Sequence, residues 1–248
     1  MQNKIKNLFG ISALCFFLVG CTATRVSSKI NNPPTESFVK IIHNTYILSC
    51  VDEKDKRCPV GVHSSSGSGM AIHLVKGRMT VLTAGHVCDS QPSDKIKESY
   101  QTTKVIDYKG NMHQAWPVLI SFNDQIGNSD LCLLWVPSLE VKKVKISKKA
   151  PEIGQEIYYI GAPAGVYHPP TVPIFKGIYS GLVDSSSALA TFPVTGGSSG
   201  GAVLNFNNSI IGVVFARNAD FHHISLISNY RSLIVFLEMA KKEVNKIN

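Results

Sequence analysis

The amino-acid sequence predicts an all-β protein that ends in a single α-helix. From about residue 37 the chain runs through short apolar segments separated by Gly, Pro, Asn and Ser, as strands joined by turns do. The candidate strands are SFVKIIHNTYILSC, GMAIHLV, RMTVLTA, DLCLLWV, EIYYIGAP, VPIFKGIYSG, GAVLNF, SIIGVVFA and HISLIS. Because no helical segment separates them, the pattern indicates a sandwich or a barrel. Only the last segment, YRSLIVFLEMAKKEVNKI, has convincing helical spacing of its apolar residues.

Length and composition are those of a globular protein. The chain has 248 residues, of which 44% are hydrophobic and 17% are charged, and it contains no repeat or low-complexity tract. Its net charge of +8 includes lysines at both ends and a lysine cluster at residues 142–149. No aromatic residues alternate with these lysines in a nucleic-acid-binding motif. We therefore expect these lysines to form a solvated surface that is attracted to anionic lipid. We expect no nucleic-acid partner.

The N-terminus has the features of an export signal. Two lysines precede the apolar run at residues 8–20, which is too short for a comfortable membrane span and suits the core of a signal peptide. The run ends in LVGC, which resembles the lipobox of bacterial lipoproteins, where Cys21 would receive a diacylglyceryl group. An ordinary signal peptide with a chance cysteine is the alternative. Thr22 stands where an Asp would retain a lipoprotein in the inner membrane, so the resemblance favours a lipid anchor in an outer membrane.

The chain is therefore predicted to consist of three segments. Residues 1–20 are predicted to be the signal peptide. Residues 21–36 are predicted to be a tether, because they are polar, lack apolar periodicity and contain Pro33-Pro34. The folded domain is predicted to occupy residues 37–248.

Three polar patches flank the predicted strands in the order His, Asp and Ser. In MTVLTAGHVC an apolar strand breaks at an Ala-Gly pair and presents His86. Asp130 opens the apolar strand DLCLLWV, and Asp124, in the Gly- and Asn-rich loop before it, is the alternative acid. In TGGSSGGAVLN, Ser198 and Ser199 lie between two pairs of glycines. Each patch alone is also typical of an ordinary turn, but together they supply a nucleophile, a base and an acid that orients the base.

These patches resemble the motifs of the chymotrypsin-like, or trypsin-fold, serine endopeptidases. TAGH surrounds the base, an apolar strand follows the aspartate, and Gly-x-Ser-Gly-Gly surrounds the nucleophile. The flanking segments GSGMAI, IGQEIYYIGAPAG, KGIYSG, GVVFA and ISLIS are similar to strands of the bacterial trypsin-like peptidases, so that roughly residues 60–235 match in order. The resemblance implies two packed six-stranded antiparallel β-barrels, at about residues 37–145 and 146–230, followed by the C-terminal helix.

The resemblance also implies a role for each residue of the three patches. The catalytic residues would be His86, Asp130 and Ser199, and the N–H groups of Gly197 and Ser199 would form the oxyanion hole. Ser198 is then a turn residue. Because animal digestive members carry an acid at that place, which captures a newly cleaved N-terminus, the uncharged Ser198 predicts activity without trypsin-style zymogen activation.

By the same resemblance, the substrate pocket is formed by residues about six positions before the nucleophile and by the strand after it. These residues are Phe192, Pro193, Val194, Val214, Phe215, Ala216 and Arg217. No buried acid is present among them to select Lys or Arg, so a small or medium apolar side chain is expected. Thr195 and the pair His222-His223 keep the selection of Glu open. Strand addition by an extended chain makes the substrate a protein or peptide.

The cysteines suit an exported protein. Besides Cys15 in the signal and Cys21, the chain has an even set of disulfide candidates, which are Cys50, Cys58, Cys88 and Cys132. Pairing of the first two would close a short charged loop, and pairing of the last two would brace the segments of the predicted base and acid. Three pairings remain open, and free thiols are the alternative for the second pair. No Cys-x-x-Cys or His-x-x-x-His spacing occurs, so no metal or other cofactor is expected.

Three functions are compatible with these residues. The first is a membrane-anchored serine endopeptidase, expected to be a monomer, that acts on extracytoplasmic proteins through an acyl-enzyme intermediate. The second is a catalytically silent binding lipoprotein with the trypsin fold. The third is an acyl hydrolase acting on esters. A nucleophile elbow, however, reads Gly-x-Ser-x-Gly and places its histidine last, whereas the histidine comes first in this chain.

Overall fold

Two closed β-barrels and a C-terminal helix make up the protein. The computed structural model describes residues 30–52, 59–89, 94–121, 129–218, 220–221 and 223–247. Within these residues, each barrel consists of six antiparallel strands. The predicted fold class is therefore confirmed. The predicted signal peptide, residues 21–29 and the lipidation candidate Cys21 lie outside the described residues.

Barrel 1 is formed by the N-terminal half of the chain. Its strands are β1 (Phe38–Cys50), β2 (Gly61–Ile72), β3 (Thr80–Thr83), β4 (Ile96–Ile106), β5 (Met112–Ser121) and β6 (Leu131–Trp135). They are ordered β1-β2-β3-β6-β5-β4, and pairing of β1 with β4 closes the barrel. A one-turn helix, α1 (Gly85–Cys88), follows β3. Alternate side chains such as Val39 and Ile41 fill the interior, as the period of two in a strand requires.

Barrel 2 repeats this architecture with shorter strands. They are β7 (Glu156–Ile160), β8 (Ile174–Leu182), β9 (Ser187–Ala190), β10 (Ala202–Leu204), β11 (Ile210–Arg217) and β12 (Ser225–Ser228). Their order is β10-β11-β12-β9-β8-β7. Tyr159 and Phe192 fill much of the interior, with ring centroids 4.6 Å apart.

The C-terminal helix α2 (Tyr230–Val244) packs across both barrels. It begins at Asn229, whose side-chain oxygen accepts a hydrogen bond from the N–H of Arg231 at 2.9 Å, and so caps one of the free N–H groups of the first turn. Its buried side chains, including Leu233 and Phe236, join a core that contains residues of both barrels. Because burial of one such side chain contributes roughly 1.5–3 kcal/mol, this helix stabilises the docking of the barrels. Within the described residues, no helix has the length and apolarity needed to cross a membrane.

The chain contacts the barrels from the first described residues onward. The side-chain amide of Asn208 donates to the carbonyl oxygens of Asn31 and Asn32, at 2.9 and 3.0 Å. Glu36 forms an ion pair of 2.6 Å with Lys142, and Thr35–Ser37 form a short 3-10 turn. The last part of the predicted tether, residues 30–36, therefore lies against the folded body.

Candidate active site

Barrel 1 places His86 and Asp130 at one edge, where β3 ends and β6 begins. The antiparallel pairing of these strands sets Thr83 opposite Cys132, so the residues just beyond them meet. His86 Nδ1 lies 2.8 Å from Asp130 Oδ2, and the backbone N–H of His86 donates to Asp130 Oδ1 at 2.9 Å. Both carboxylate oxygens thus contact one residue, which fixes the orientation of the imidazole ring. The alternative acid, Asp124, lies outside the described residues.

The backbone at Asp130 has an unusual conformation. Its φ is 43°, in the left-handed region that residues other than glycine seldom adopt and that Asp and Asn tolerate best. The preceding Ser129 is buried, with its Oγ 2.9 Å from the Oγ of Ser121. The carboxylate that contacts His86 is therefore held on a sharply turned backbone and not in the strand itself.

A disulfide bond joins Cys88 to Cys132. Each cysteine lies two residues beyond His86 or Asp130, so the bond ties their segments together. This is one of the pairings that the sequence left open. Cys50 is also disulfide-bonded, while its candidate partner Cys58 lies outside the described residues.

In barrel 2, two glycines with positive φ shape the turn that carries Ser199. Gly197 has a φ of 89° and Gly200 a φ of 86°. A Cβ atom on Gly197 would lie 2.5 Å from the carbonyl oxygen of Ala162, and one on Gly200 would lie 1.9 Å from that of Ser68. Both positions thus require glycine, for conformation and for close approach of the backbone.

Hydrogen bonds hold every peptide carbonyl of residues 196–199. The pairs are Gly196 O with Ala164 N (2.7 Å), Gly197 O with Ser68 Oγ (2.7 Å), Ser198 O with Gly201 N (2.9 Å) and Ser199 O with Ser68 N (2.8 Å). Because a peptide group is planar, fixing a carbonyl also fixes the N–H of the next residue. The N–H groups of Gly197 and Ser199 are fixed in this way, and neither donates to an acceptor in the described part of the chain.

The two adjacent serines have different surroundings. Ser198 is 1% exposed, its Oγ accepts a hydrogen bond from Thr195 N at 3.1 Å, and the hydroxyl of Tyr159 lies 3.4 Å away. Burial raises the pKa of Tyr159 to about 12, so this hydroxyl stays neutral at physiological pH. Both serines line a cavity, but Ser199 is partly exposed. Of this pair, Ser199 therefore offers its side chain to a ligand.

The turn that carries Ser199 lies close to helix α1, which contains His86, and Gly67 of β2 lies between them. A Cβ atom on Gly67 would lie 2.6 Å from Val87 Cγ1 and 3.0 Å from the carbonyl oxygen of Ser199. Val87 directly follows His86. The absence of a side chain at residue 67 therefore allows the residue after His86 in barrel 1 and the backbone of Ser199 in barrel 2 to pack at the same point of β2.

A cavity of about 190 Å³ opens beside Ser199. Its lining is Val194, Thr195, Gly196, Ser198, Ser199, Val214, Phe215, Ala216 and Arg217. Among the described residues that line it, Arg217 is the charged one. Two residues that the resemblance assigned to the pocket do not line this cavity. The carbonyl oxygen of Pro193 accepts a hydrogen bond from the Tyr159 hydroxyl, and Phe192 is fully buried in barrel 2. His222 lies outside the described residues.

A larger cavity, of about 970 Å³, lies between barrel 2 and α2. Apolar side chains such as Ile153, Leu182 and Val235 contribute to its wall. It contains none of the residues that the sequence assigned to catalysis or to the substrate pocket, so size alone does not mark the candidate site.

Sequence reasoning missed two parts of this site. They are Ser68 and the loop at residues 162–165, both of which hydrogen-bond to the Ser199 turn. Both belong to segments quoted above, GSGMAI and IGQEIYYIGAPAG. For these segments the resemblance concerned whole strands and implied no role for a single residue. The signal available in the sequence was a serine between two glycines at the start of an apolar segment.

The chain matches the family model described as the trypsin-like peptidase domain. The match covers residues 67–213, more than half of the chain, and contains the His86, Asp130 and Ser199 segments. The protein therefore belongs to the trypsin-like peptidase domain family. The comparison with curated protein sequences gave no match.

Solved structures of bacterial proteases share the fold. The active form of the Rv3671c protease from M. tuberculosis superposes with a TM-score of 0.62 at 18% identity, over 84% of this chain and 84% of that chain. Its inactive form gives 0.57 at 17% identity, over 84% and 90%. The serine endoprotease from Yersinia pestis gives 0.57 at 19% identity, over 84% of this chain and 64% of that one. At these identities the likeness establishes the fold alone.

Proposed function

We propose that the protein is a serine endopeptidase that hydrolyses peptide bonds of proteins outside the cytoplasm. One observation carries the proposal: His86, hydrogen-bonded to Asp130 in barrel 1, and the partly exposed Ser199 of barrel 2 lie on neighbouring segments, because Val87 and the Ser199 carbonyl both pack at Gly67, and two N–H groups of the Ser199 turn are fixed. Membership of a peptidase domain family supports it.

Acylation begins when the Ser199 hydroxyl attacks the carbonyl carbon of the scissile peptide. His86 takes the hydroxyl proton at Nε2, and Asp130, bonded to Nδ1, fixes the tautomer and stabilises the imidazolium. The N–H groups of Gly197 and Ser199 donate to the oxyanion. The carbon–nitrogen bond then breaks, His86 gives the proton to the leaving amine, and the acyl group remains on Ser199.

Deacylation repeats these steps with water as the nucleophile. His86 takes a proton from water, whose oxygen attacks the acyl carbon, and the same N–H groups stabilise the second oxyanion. Collapse of this intermediate breaks the ester bond and returns the proton from His86 to Ser199. The net reaction consumes one water per peptide bond and needs no cofactor.

The substrate binds as an extended chain along the end of β11. Val214 still pairs with barrel 2 on both sides, through β12 and through Gly200 and Gly201. Beyond it, Ala216 and Arg217 pair with β12, which leaves their other edge for a substrate strand. The adjoining cavity of about 190 Å³, lined by Val194, Phe215 and Ala216 among others, suits a small or medium apolar side chain.

The site would operate close to a bilayer. We propose that Cys21 carries the lipid anchor predicted from LVGC, in an outer membrane. Ile30, where the described residues begin, is nine positions after Cys21, and a fully extended chain covers that interval in about 30 Å. Lysines of the 142–149 cluster lie near this N-terminal end of the described residues, where Lys142 contacts Glu36. Their charge supports attraction to anionic lipid.

The test is covalent labelling of purified full-length protein with a fluorophosphonate, followed by peptide mapping. The expected result is modification of Ser199 that is retained in Ser198→Ala and abolished in His86→Ala. Ser199→Ala should also lower peptide hydrolysis by a factor on the order of a million. Absence of labelling in folded protein would instead support the catalytically silent binding lipoprotein, and hydrolysis of esters without peptides would support the acyl hydrolase.

A further inference from the structure

We infer that Ser68 is a positioning residue that sets the oxyanion-binding N–H groups of the Ser199 turn. The inference rests on the proposed function, because it assigns a residue of barrel 1 to the assembly of that site. Ser68 lies on β2 and its side chain has no exposed surface. It does not contact the substrate cavity, and so acts through the turn and not on the substrate.

Four hydrogen bonds connect Ser68 to both barrels. Its Oγ donates to Gly197 O at 2.7 Å and accepts from Ala162 N at 2.9 Å; its N–H donates to Ser199 O at 2.8 Å, and its carbonyl accepts from Thr83 Oγ1 at 2.8 Å. Thr83 ends the strand that leads to His86. One buried residue therefore contacts the serine turn, its supporting loop and the histidine strand.

The hydroxyl of Ser68 has its proton committed to one acceptor. Because Oγ accepts from Ala162 N–H, its own hydrogen is directed to Gly197 O, and the two bonds order the loop and the turn relative to each other. The same loop donates from Ala164 N to Gly196 O, the carbonyl of the peptide group that carries the Gly197 N–H. Ser68 thus supports that N–H through the loop and through the next peptide group.

The supporting loop depends on such contacts. Ala164 has a φ of 52°, a conformation disfavoured for alanine, and Gly165 has a φ of 73°. The loop is further held by Lys40 of β1, whose Nζ donates to Gly165 O at 3.0 Å. Without the Ser68 hydroxyl, the loop loses its contact with the turn at Ala162, where the disfavoured segment begins. Donors to a transition-state oxyanion tolerate only small displacements, so the loss should appear in catalysis.

The test compares Ser68→Ala with Ser228→Ala in the full-length protein. Ser228 is a matched control, because it is also buried and its Oγ accepts a backbone hydrogen bond, from Val213 N at 2.9 Å. We expect Ser68→Ala to lower kcat about tenfold to hundredfold, with KM changed less than twofold. The affinity for a peptide boronate, whose tetrahedral adduct places an oxygen at the donors, should fall by a similar factor. Ser228→Ala should leave these quantities near those of the wild type.

The outcomes separate this inference from the proposed function. If the wild type is not labelled at Ser199 and does not cleave peptides, the proposed function fails and the role of Ser68 fails with it. If the wild type is active and Ser68→Ala retains the kcat and boronate affinity of Ser228→Ala, the inference alone is overturned. Should Ser68→Ala not fold, Ser68→Cys keeps the size and weakens the hydrogen bonds, and its kcat must still fall selectively.

Discussion

Barrel 1 and barrel 2 hold their parts of the candidate site by different means. In barrel 1, side-chain groups do so: a carboxylate contacts His86 twice and a disulfide ties the two segments. In barrel 2, backbone groups do so: carbonyls accept hydrogen bonds and two glycines admit close neighbours. Barrel 1 should therefore be sensitive to the chemistry of a substituted group, and barrel 2 should be sensitive to the volume of that group.

The largest effect among these comparisons is expected for Asp130→Asn. Asparagine tolerates the φ of 43°, so the backbone should persist, but its amide cannot hold the tautomer that a carboxylate selects. We expect kcat for peptide hydrolysis to fall about ten-thousandfold, with a thermal midpoint close to that of the wild type. A loss smaller than tenfold in folded protein would show that another acid, such as Asp124, orients His86.

The expected sensitivity of barrel 2 to side-chain volume is tested by Gly197→Ala and its matched control Gly196→Ala. A methyl group at residue 197 would meet the Ala162 carbonyl oxygen at 2.5 Å, whereas one at residue 196 would have no atom within 4 Å among the described residues. We expect Gly197→Ala to lower kcat about hundredfold to thousandfold by displacing a donor. Gly196→Ala should keep the thermal midpoint of the wild type. Equal midpoints and equal kcat values in the two variants would contradict the expected sensitivity to side-chain volume.

The smallest expected effect on catalysis comes from removing the disulfide of barrel 1. The double variant Cys88→Ala, Cys132→Ala opens a closure of 44 residues and should lower the free energy of unfolding by about 2–4 kcal/mol. Urea denaturation followed by tryptophan fluorescence measures this loss. Because the carboxylate contacts to His86 remain, kcat should fall by about tenfold or less. Complete inactivity of the folded variant would show that the covalent bond, and not the carboxylate, positions the histidine.

The architecture was predictable where strands carry continuous apolar runs, and less so elsewhere. β4, β5 and β9 were not predicted. β4 is largely polar and half-exposed, β5 contains Pro117 at a register shift, and β9 has only four residues, three of which are small. Such strands are specified by pairing with distant partners, and their own side chains give a weak local pattern.

The candidate site divides in the same way. His86, Asp130 and Ser199 follow from local motifs, because a strand end or a glycine turn presents each of them. Ser68 does not, since its side-chain hydrogen bonds join residues 94 and 129 positions apart in the sequence. A single sequence records which side chains are reactive far more directly than it records which distant groups hold them in place.

The hydrogen bonds between Ser68 and the Ser199 turn also have a consequence for assembly of the site. Ser68 belongs to barrel 1 and residues 196–199 belong to barrel 2, so these bonds join segments that are far apart in the sequence. The turn acquires its supporting bonds only when both barrels have docked, since β2 supplies two of them. Under the proposed function, hydrolysis would therefore require both barrels in their docked positions, and a chain whose barrels have not docked would be inactive.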